Sequence, residues 1–385
     1  MFHGVVMKPS IPVASVDLSG NEERYAVEAI RSTWISSAGT FLQRFESEFA
    51  QACEVRHALA VANGTVALHL VLAALNLNPG DEVIVPSMTY IATGNAPRYV
   101  GAEPVFVDVD PDTWTLHPDK LEEAITPRTK AILPVHLLGH PADMEPINRI
   151  AATHGLTVIE DAAEATFATY KGKTVGGLGR VGTFSFFGNK LLTCGEGGAV
   201  TTNDDQLATR LRILRGQGME PTRRYYFPVT GFNFRLTNVA AAILCGQMER
   251  RTAIMEARRN IYARYNRLLR QVPGVTLQPI APWAELSHWM YACLIDENVF
   301  GCSRDDVMQH MAAVGIETRP MFIPLHRLPP FRNQSRARGE YLPVTDRLGA
   351  QGIMLPTYNT LSHADIDRVV NALAEAGNAS RRKVA

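Results

Sequence analysis

The chemically distinctive residue of this chain is Lys190, because lysine is scarce elsewhere. Of the 385 residues, 38 are basic, and only seven of these are lysines. Lys190 follows the apolar run TFSFFGN and precedes a glycine-rich turn. A desolvated ammonium can lose its proton and become a nucleophilic amine, which a guanidinium cannot do. The stretch favours a Schiff-base lysine, and the alternative is an ordinary lysine on a surface loop.

Three other groups suit the same chemistry, although each has a commoner structural explanation. Asp161 follows the apolar run LTVIE and, taken alone, would most often cap a helix. Ser185, taken alone, would be an ordinary strand serine. The turn Asn63-Gly64-Thr65 precedes an apolar helix, whose first N–H groups suit a phosphate, but plain strand-to-helix turns are more frequent than such sites.

Together these groups match the requirements of one cofactor, pyridoxal phosphate. This cofactor needs a lysine amine, a carboxylate that keeps its ring nitrogen protonated, an aromatic face, and hydroxyl and N–H groups for its phosphate. Lys190 and Asp161 supply the first two, and Tyr90 supplies the aromatic face. The phosphate site would be formed by Gly64, Thr65 and Ser185.

The elements that must position these residues form an alternating pattern. Strand and helix patterns alternate from about residue 58 to residue 190, which predicts a mostly parallel sheet covered on both faces. Ligands bind such sheets beyond the carboxyl ends of the strands. Asp161 and Lys190 each follow a predicted strand, so we expect both at the same edge.

The C-terminal part of the chain has a different pattern. A long helical pattern runs from Val239 to about Val272, and the remainder indicates a smaller α+β domain. We therefore predict a large α/β domain over residues 1–250 and a small C-terminal domain over residues 251–385.

Composition excludes several other classes of protein. The formal net charge is zero, and no basic surface of the kind that binds nucleic acid is indicated. No stretch approaches the ~20 apolar residues of a membrane span, and no signal peptide is expected. The five cysteines have no paired spacing, which favours a reducing compartment and a cytoplasmic protein.

Two other motifs are present in an unsuitable context. Residues 177–182 spell GxGxxG, but they precede a strand instead of opening a helix, so a dinucleotide site is not expected. His136 and His140 have the i, i+4 spacing of a zinc motif, but Gly139 and Pro141 break any helix between them. The GxSxG elbow of serine hydrolases is absent.

The order NGT, PSMTY, EDAAEA, SFFGNK, GEGG and GFNFR resembles the DegT/DnrJ/EryC1/StrS family of sugar aminotransferases. The resemblance extends over nearly the whole chain, and the motifs are specific in combination although each is weak alone. It implies the type I fold of pyridoxal-phosphate-dependent transferases, the fold of aspartate aminotransferase. One branch of the family has His at the lysine position and dehydrates its sugar; Lys190 therefore implies transamination.

The resemblance also implies roles for individual residues. Lys190 would bond to the cofactor and act as the acid and base, Asp161 would pair with its ring nitrogen, and Glu164 would lie near its ring hydroxyl. Tyr90 would stack on the ring, and Gly64, Thr65 and Ser185 would hold the phosphate. Asn233 in GFNFR would reach the phosphate of a neighbouring subunit, which implies a homodimer. Apart from the resemblance, Arg223, Arg224 and Arg319 are candidates for binding a pyrophosphate or a carboxylate, and the alternative for each is a solvated surface arginine; His326 is a candidate for the lining of the site.

The resemblance implies L-glutamate as amino donor and a nucleotide-linked keto sugar as acceptor. Within the family, the segments around SFFGNK, RGQGMEP and WISSAG are most similar to members that aminate GDP-4-keto-6-deoxymannose. A dTDP- or UDP-linked sugar, a 3-keto sugar or a cyclitol is an open alternative. An alternative of another class is a non-catalytic nucleotide-sugar-binding regulator, which would not need a nucleophilic amine.

Overall fold

A seven-stranded sheet forms the centre of the chain in the computed structural model, which describes residues 10–384. The strands are β1 (His57–Val61), β2 (Glu82–Pro86), β3 (Glu103–Val107), β4 (Thr129–Ile132), β5 (Thr157–Asp161), β6 (Thr169–Tyr170), β7 (Lys173–Thr174), β8 (Val181–Ser185), β9 (Gly198–Thr202), β10 (Val275–Leu277), β11 (Ala284–Glu285), β12 (Ala292–Ile295), β13 (Arg319–Pro320) and β14 (Gly352–Met354). The order in the large sheet is β1-β9-β8-β5-β4-β2-β3. Only β9 runs antiparallel to its neighbours, so the predicted mostly parallel sheet is confirmed.

Helices connect and cover these strands. They are α1 (Glu22–Arg31), α2 (Thr40–Ala52), α3 (Gly64–Ala74), α4 (Ile91–Tyr99), α5 (Leu121–Ala124), α6 (Met144–His154), α7 (Asp205–Arg215), α8 (Asn238–Glu249), α9 (Arg251–Leu269), α10 (Glu297–Phe300), α11 (Arg304–Ala313), α12 (Pro329–Arg338), α13 (Pro343–Gln351) and α14 (His363–Val384). Short 3₁₀ turns lie at Pro118–Lys120, Leu137–Gly139 and Leu325–Arg327. No helix among residues 10–384 is long and apolar enough to cross a membrane.

Both faces of the large sheet are covered, which explains why most side chains in the middle of its strands are apolar. In β2, Val83 and Val85 face one hydrophobic cluster and Ile84 faces another on the opposite side. In β1, Leu59 packs in the first of these clusters, whereas Ala60 packs against α2 and α8. Side chains alternate across a strand, so every position meets a layer of helices.

The reversed direction of β9 places the loop that contains Lys190. Because β8 and β9 are antiparallel neighbours, a short loop over residues 186–197 joins them at the carboxyl edge of the sheet. The base of this loop is fixed by Phe186, which is fully buried and packs edge-on against Phe45 and Phe49. The loop therefore stays at the edge where the parallel strands end.

The C-terminal part of the chain has its own four-stranded sheet, in the order β10-β12-β14-β13. Helices α9, α11 and α14 contribute to the hydrophobic core beside it. Ile11 joins the same core, and its N–H donates to Gly315 O at 2.9 Å. The division into domains at residues 1–250 and 251–385 stays a prediction.

Two local features differ from what the sequence pattern suggests. The continuous helical pattern from Val239 to Val272 corresponds to two helices, because α8 ends at Glu249 and α9 begins at Arg251. Residues 162–168 form turns, so Asp161 is the last residue of β5 and does not cap a helix.

Candidate active site

A cavity of about 600 Å³ opens at the carboxyl edge of the large sheet. It lies between the ends of β5 and β8, the start of α3 and α4, and the segments around residues 289 and 319–323. The sequence-predicted residues that line it are Gly64, Thr65, Tyr90, Asp161, Glu164, Ser185, Lys190 and Arg319. The structure thus brings together residues that are up to 255 positions apart in the chain.

Lys190 reaches into this cavity from a tight turn. Its backbone N–H donates to Phe187 O at 2.9 Å, and 12% of its side chain is exposed. Nζ lies 4.0 Å from Glu164 Oε1. Burial lowers the pKa of Lys190, and the nearby carboxylates of Glu164 and Asp161 oppose this shift. A larger fraction of neutral amine is therefore present than for a solvent-exposed lysine.

Asp161 is a buried carboxylate held by two neutral donors. Thr93 Oγ1 donates to Oδ2 at 2.8 Å, and Ala163 N donates to Oδ1 at 3.2 Å. Thr89 Oγ1 lies 2.9 Å from Thr93 Oγ1 and extends this chain of hydroxyl groups. Burial raises the pKa of Asp161, with the hydrogen bonds from Thr93 and Ala163 acting against the shift. A cation placed beside this carboxylate would stabilise its charged form.

Glu164 is a second buried carboxylate, on the turn after β5. Its Oε2 accepts from Leu138 N at 2.8 Å, and its Oε1 faces Lys190. Burial raises the pKa of Glu164 to about 7, against the effect of Lys190. This carboxyl group can therefore gain or lose a proton near neutral pH.

The far end of the cavity is built for an anion. Asn63 caps α3, and its side chain accepts from Val66 N at 3.0 Å. The N–H groups of Gly64 and Thr65 belong to the first turn of α3 and have no acceptor within the helix. A Cβ on Gly64 would lie 2.8 Å from Ser185 Cβ, so only glycine allows the helix to start this close to the end of β8. The helix N-terminus and the Ser185 hydroxyl converge on one position.

These groups fit pyridoxal phosphate. A buried carboxylate with only neutral donors suits a protonated ring nitrogen, and a helix N-terminus with an adjacent hydroxyl suits a phosphate. A buried amine lies in the same cavity. Tyr90 precedes α4 and also lines the cavity, with 57% of its surface exposed, so an aromatic face is available to the ring.

Arg319 is the one candidate substrate arginine that lines the cavity. It lies in β13, its side chain is 49% exposed, and its Nη2 lies 3.4 Å from Glu317 Oε1. Its guanidinium thus stands at the cavity with donors available to an anion.

Four predicted residues lie outside this cavity. Asn233 Oδ1 accepts from Arg235 at 3.2 Å, and Arg223 stacks on Tyr226 at 4.4 Å. Arg224 stacks on the ring of Tyr225. The sequence placed His326 at the site, but its ring is buried between Ser87 Oγ at 2.8 Å and Asp346 Oδ1 at 3.1 Å. The four predicted residues that do not line the cavity are thus Arg223, Arg224, Asn233 and His326.

Trp289 also lines the cavity and was not among the residues predicted from the sequence. The Lys190 Nζ lies 3.7 Å from the centroid of its indole ring. Trp289 is separated from Lys190 by about a hundred residues, and no motif marks it. Thr93 was missed for a related reason, since a threonine in the first turn of a helix has an ordinary structural explanation.

The contacts of the unused motifs explain why they do not form other sites. The N–H groups of Gly176, Leu178 and Gly179 donate to the carboxylate of Glu160 at 2.7–2.8 Å. The same carboxylate lies 3.0 Å from His136 Nε2. The glycine-rich segment is therefore occupied by an acidic side chain of the chain itself.

Comparison with known proteins agrees with this geometry. A model of the DegT/DnrJ/EryC1/StrS aminotransferase family matches residues 17–374. GDP-perosamine synthase of Caulobacter vibrioides is 50% identical over 366 residues, which are 95% of this chain and 98% of that protein. GDP-perosamine synthase of Escherichia coli O157:H7 is 42% identical over 365 residues, with the same coverage. The solved structure of DesI, in the presence of its TDP-sugar product, has a TM-score of 0.91 at 34% identity and covers 98% of this chain and 95% of that one.

Proposed function

The chain belongs to the DegT/DnrJ/EryC1/StrS aminotransferase family, and on this premise we propose that it moves the amino group of L-glutamate to the keto carbon of GDP-4-keto-6-deoxymannose. It is a pyridoxal-phosphate-dependent aminotransferase with the expected type I fold. The observation that supports the sugar is the 50% identity to GDP-perosamine synthase over 95% of the chain. The alternative of a non-catalytic regulator is not retained, because the chain is an enzyme.

In this proposal the cofactor is held at three points. Gly64, Thr65 and Ser185 would bind its phosphate, Asp161 would keep its ring nitrogen protonated, and Tyr90 would cover its ring. Pyridoxal phosphate, when bound, takes up the electrons released as a proton leaves the carbon that bears the amino group. Because Asp161 is buried, its charge acts on the ring nitrogen with little screening by water.

Lys190 is the acid and base in this proposal. Its Nζ would accept the proton from the donor's Cα and later return a proton to the sugar carbon that receives the amino group. The low exposure of Lys190 supports this role, because a desolvated amine gives up its own proton more readily. Glu164, 4.0 Å away, would exchange a proton with this amine near neutral pH.

The substrate would enter along the exposed side of the cavity. Arg319 would pair with the pyrophosphate of the sugar nucleotide or with a carboxylate of L-glutamate, since a guanidinium donates to such anions in pairs of hydrogen bonds. Each half of the reaction would use the same cavity in turn.

A homodimer is part of the proposal. Asn233 lies outside the cavity of its own chain, so the role implied for it requires Asn233 of the partner subunit. The surface of the chain supports association, because large apolar side chains are exposed on it: Ile30, Trp34, Ile35, Tyr225 and Phe227.

The test of the reaction is direct. We expect the purified chain, incubated with L-glutamate and GDP-4-keto-6-deoxymannose, to form an amino sugar nucleotide and 2-oxoglutarate, measured by mass spectrometry. The dTDP- and UDP-linked 4-keto-6-deoxyhexoses are assayed beside it. Turnover of only a dTDP- or UDP-linked sugar would retain the aminotransferase and reject the GDP-linked substrate.

The assignment of Lys190 has its own test. We expect the loaded protein to show a visible absorbance band of bound cofactor that L-glutamate bleaches. Lys190→Ala should abolish the band and lower turnover by at least about 10³-fold, because the variant has no amine to move the proton. Lys173→Ala, on the exposed β7, is the matched control and should retain both. A Lys190→Ala protein that keeps the band and turns over would contradict the assignment.

A further inference from the structure

The indole of Trp289 faces the amine of Lys190 from a distant part of the chain. The Nζ atom lies 3.7 Å from the ring centroid, and Trp289 is only 4% exposed. Glu164 Oε1 lies 4.0 Å from the same Nζ. An ammonium is attracted to the negative face of an indole, most strongly where water is excluded. The amine therefore has two favourable neighbours, one aromatic and one acidic.

Hydrogen bonds fix the segment that contains Trp289. Ser287 Oγ donates to Glu164 O at 3.0 Å, and Trp289 Nε1 donates to Asn189 O at 2.8 Å. These bonds tie the segment to the residue opposite the amine and to the residue directly before Lys190. The indole ring is therefore held in a defined position relative to Glu164 and to the backbone beside Lys190.

A hydrogen bond from α9 holds the backbone of Trp289. Arg258 in α9 is buried, and its Nη1 donates to Trp289 O at 3.0 Å. The preceding residue, His288, has a φ of 57°, a left-handed conformation that is uncommon for a residue other than glycine. Such conformations persist where surrounding contacts determine them, and Trp289, which follows His288, lines the cavity.

We propose that Trp289 is a positioning residue for the catalytic lysine, holding the free amine of Lys190 between its ring face and Glu164 whenever that amine is not bonded to the cofactor. This inference rests on the proposed role of Lys190. In the half of the cycle where the amine is released, it would stay beside the reacting carbon instead of turning away. The ring would also favour the protonated form that must donate a proton.

Other charged groups face the amine as well. Glu164 and Asp161 lie on the β5 side, while Glu196 and Arg319 line the cavity from the β8–β9 loop and β13. Burial favours the neutral amine, and the two β5 carboxylates favour the ammonium. The ring of Trp289 acts in the same direction as the carboxylates, so its removal favours the neutral amine.

The test is the pH dependence of cofactor uptake by the full-length chain after its cofactor has been removed. Only the neutral amine can add to the aldehyde carbon of pyridoxal phosphate, where a C=N bond replaces the C=O bond and water is released. The rate of uptake, followed by visible absorbance, therefore reports the protonation of Lys190. We expect Trp289→Leu to move the midpoint of this rate to lower pH by about one unit, and Trp289→Phe to move it in the same direction by about 0.3–0.5 unit, because phenylalanine keeps a weaker aromatic face.

Trp283→Phe is the matched control. The Trp283 ring packs 4.9 Å from Tyr170 and 5.4 Å from His140, outside the cavity, so the midpoint should not move. A folded Trp289→Leu protein with an unchanged midpoint, or with one raised by added solvation, overturns the inference. If Trp289→Leu does not fold, Trp289→Phe decides: a midpoint shifted to lower pH supports the inference, and an unchanged or raised midpoint overturns it. If Lys190→Ala takes up cofactor as the wild type does, the lysine assignment falls, and this inference with it.

Discussion

Glu164 illustrates how the site depends on single buried residues. Its carboxylate has one backbone donor, from Leu138, and one cationic neighbour, Lys190. Neither fully compensates the loss of water, so burial raises the pKa of Glu164 to about 7. The sequence-based expectation placed it only near the ring hydroxyl of the cofactor. The structure adds that it faces the amine.

This raised pKa makes stability depend on pH. An unfolded glutamic acid releases its proton near 4.5, whereas folded Glu164 keeps it to about 7, so the free energy of unfolding falls as pH rises between these values. For the cofactor-free chain at about pH 8, we expect Glu164→Gln to be more stable than the wild type by about 3 kcal/mol. The difference should disappear below about pH 4, where both the folded and the unfolded Glu164 are protonated.

Thermal denaturation across pH measures this effect. Glu297→Gln, at the exposed start of α10, is the control and should behave as the wild type at every pH. A Glu164→Gln protein with the same pH profile as the wild type would show that Glu164 is already ionised at neutral pH.

At the scale of elements, the site forms where β5 and β8 end and α3 and β9 begin, all at the same edge of the large sheet. Strands β5 and β8 are parallel neighbours, and Asp161 and Ser185 are their last residues. Helix α3 starts against the end of β8, where Gly64 makes the close approach possible. The antiparallel strand β9 keeps the loop of Lys190 short.

Gly64→Ala tests the contact between α3 and β8. The added Cβ would lie 2.8 Å from Ser185 Cβ, so the helix must shift. We expect a loss of about 1–3 kcal/mol in stability and at least about a tenfold loss in affinity for pyridoxal phosphate. Chemical denaturation and cofactor titration measure the two effects.

Gly188→Ala is the control, because a Cβ there meets nothing within 4 Å. Unchanged cofactor affinity in Gly64→Ala would mean that the start of α3 does not hold the phosphate.

The sequence predicted the alternation of strands and helices up to about residue 190, but it predicted neither strand β9 nor its direction. The alternation of apolar strands and helices indicates a parallel sheet, and the polar residues at strand ends indicate the edge that holds the site. Nothing in GAVTT encodes that β9 runs in the opposite direction, since a fully buried strand is apolar either way. The break between α8 and α9 at Arg250 was also missed, because neither proline nor glycine interrupts the helical pattern there.

At the scale of the whole molecule, long-range contacts decide what the sequence could not show. Trp289 contacts Lys190 because the segment that contains Trp289 packs against the large sheet. Arg258 in α9 stabilises this position by donating to the backbone oxygen of Trp289. His326 was a candidate for the lining of the site, whereas in the fold its ring contacts Ser87 and Asp346. Such outcomes depend on tertiary packing, which periodicity does not report.

A mixing experiment tests whether the sites are shared between subunits. Lys190→Ala and Asn233→Ala chains should each be impaired alone. When they are unfolded and refolded together, half of the dimers carry both chains, and each of these has one intact site, so about a quarter of wild-type activity should return.

Lys190→Ala mixed with Asp161→Ala is the control, because both changes lie in the same cavity and no intact site forms. Equal activity in the two mixtures would show that Asn233 does not serve a partner's site.

The bonds of Glu160 have a consequence for which cofactor the chain selects. The N–H groups of Gly176, Leu178 and Gly179 and the imidazole of His136 contact this one carboxylate, so the chain supplies its own anion at the start of the GxGxxG segment. A dinucleotide phosphate would have to displace this carboxylate, which is held beside the same N–H groups by the fold. At the start of α3, by contrast, the Asn63 side chain accepts only from Val66 N among the described contacts, and the N–H groups of Gly64 and Thr65 have no acceptor within the helix. The two glycine-containing turns of the chain therefore differ in how available their N–H groups are to a phosphate, because Glu160 occupies one of them.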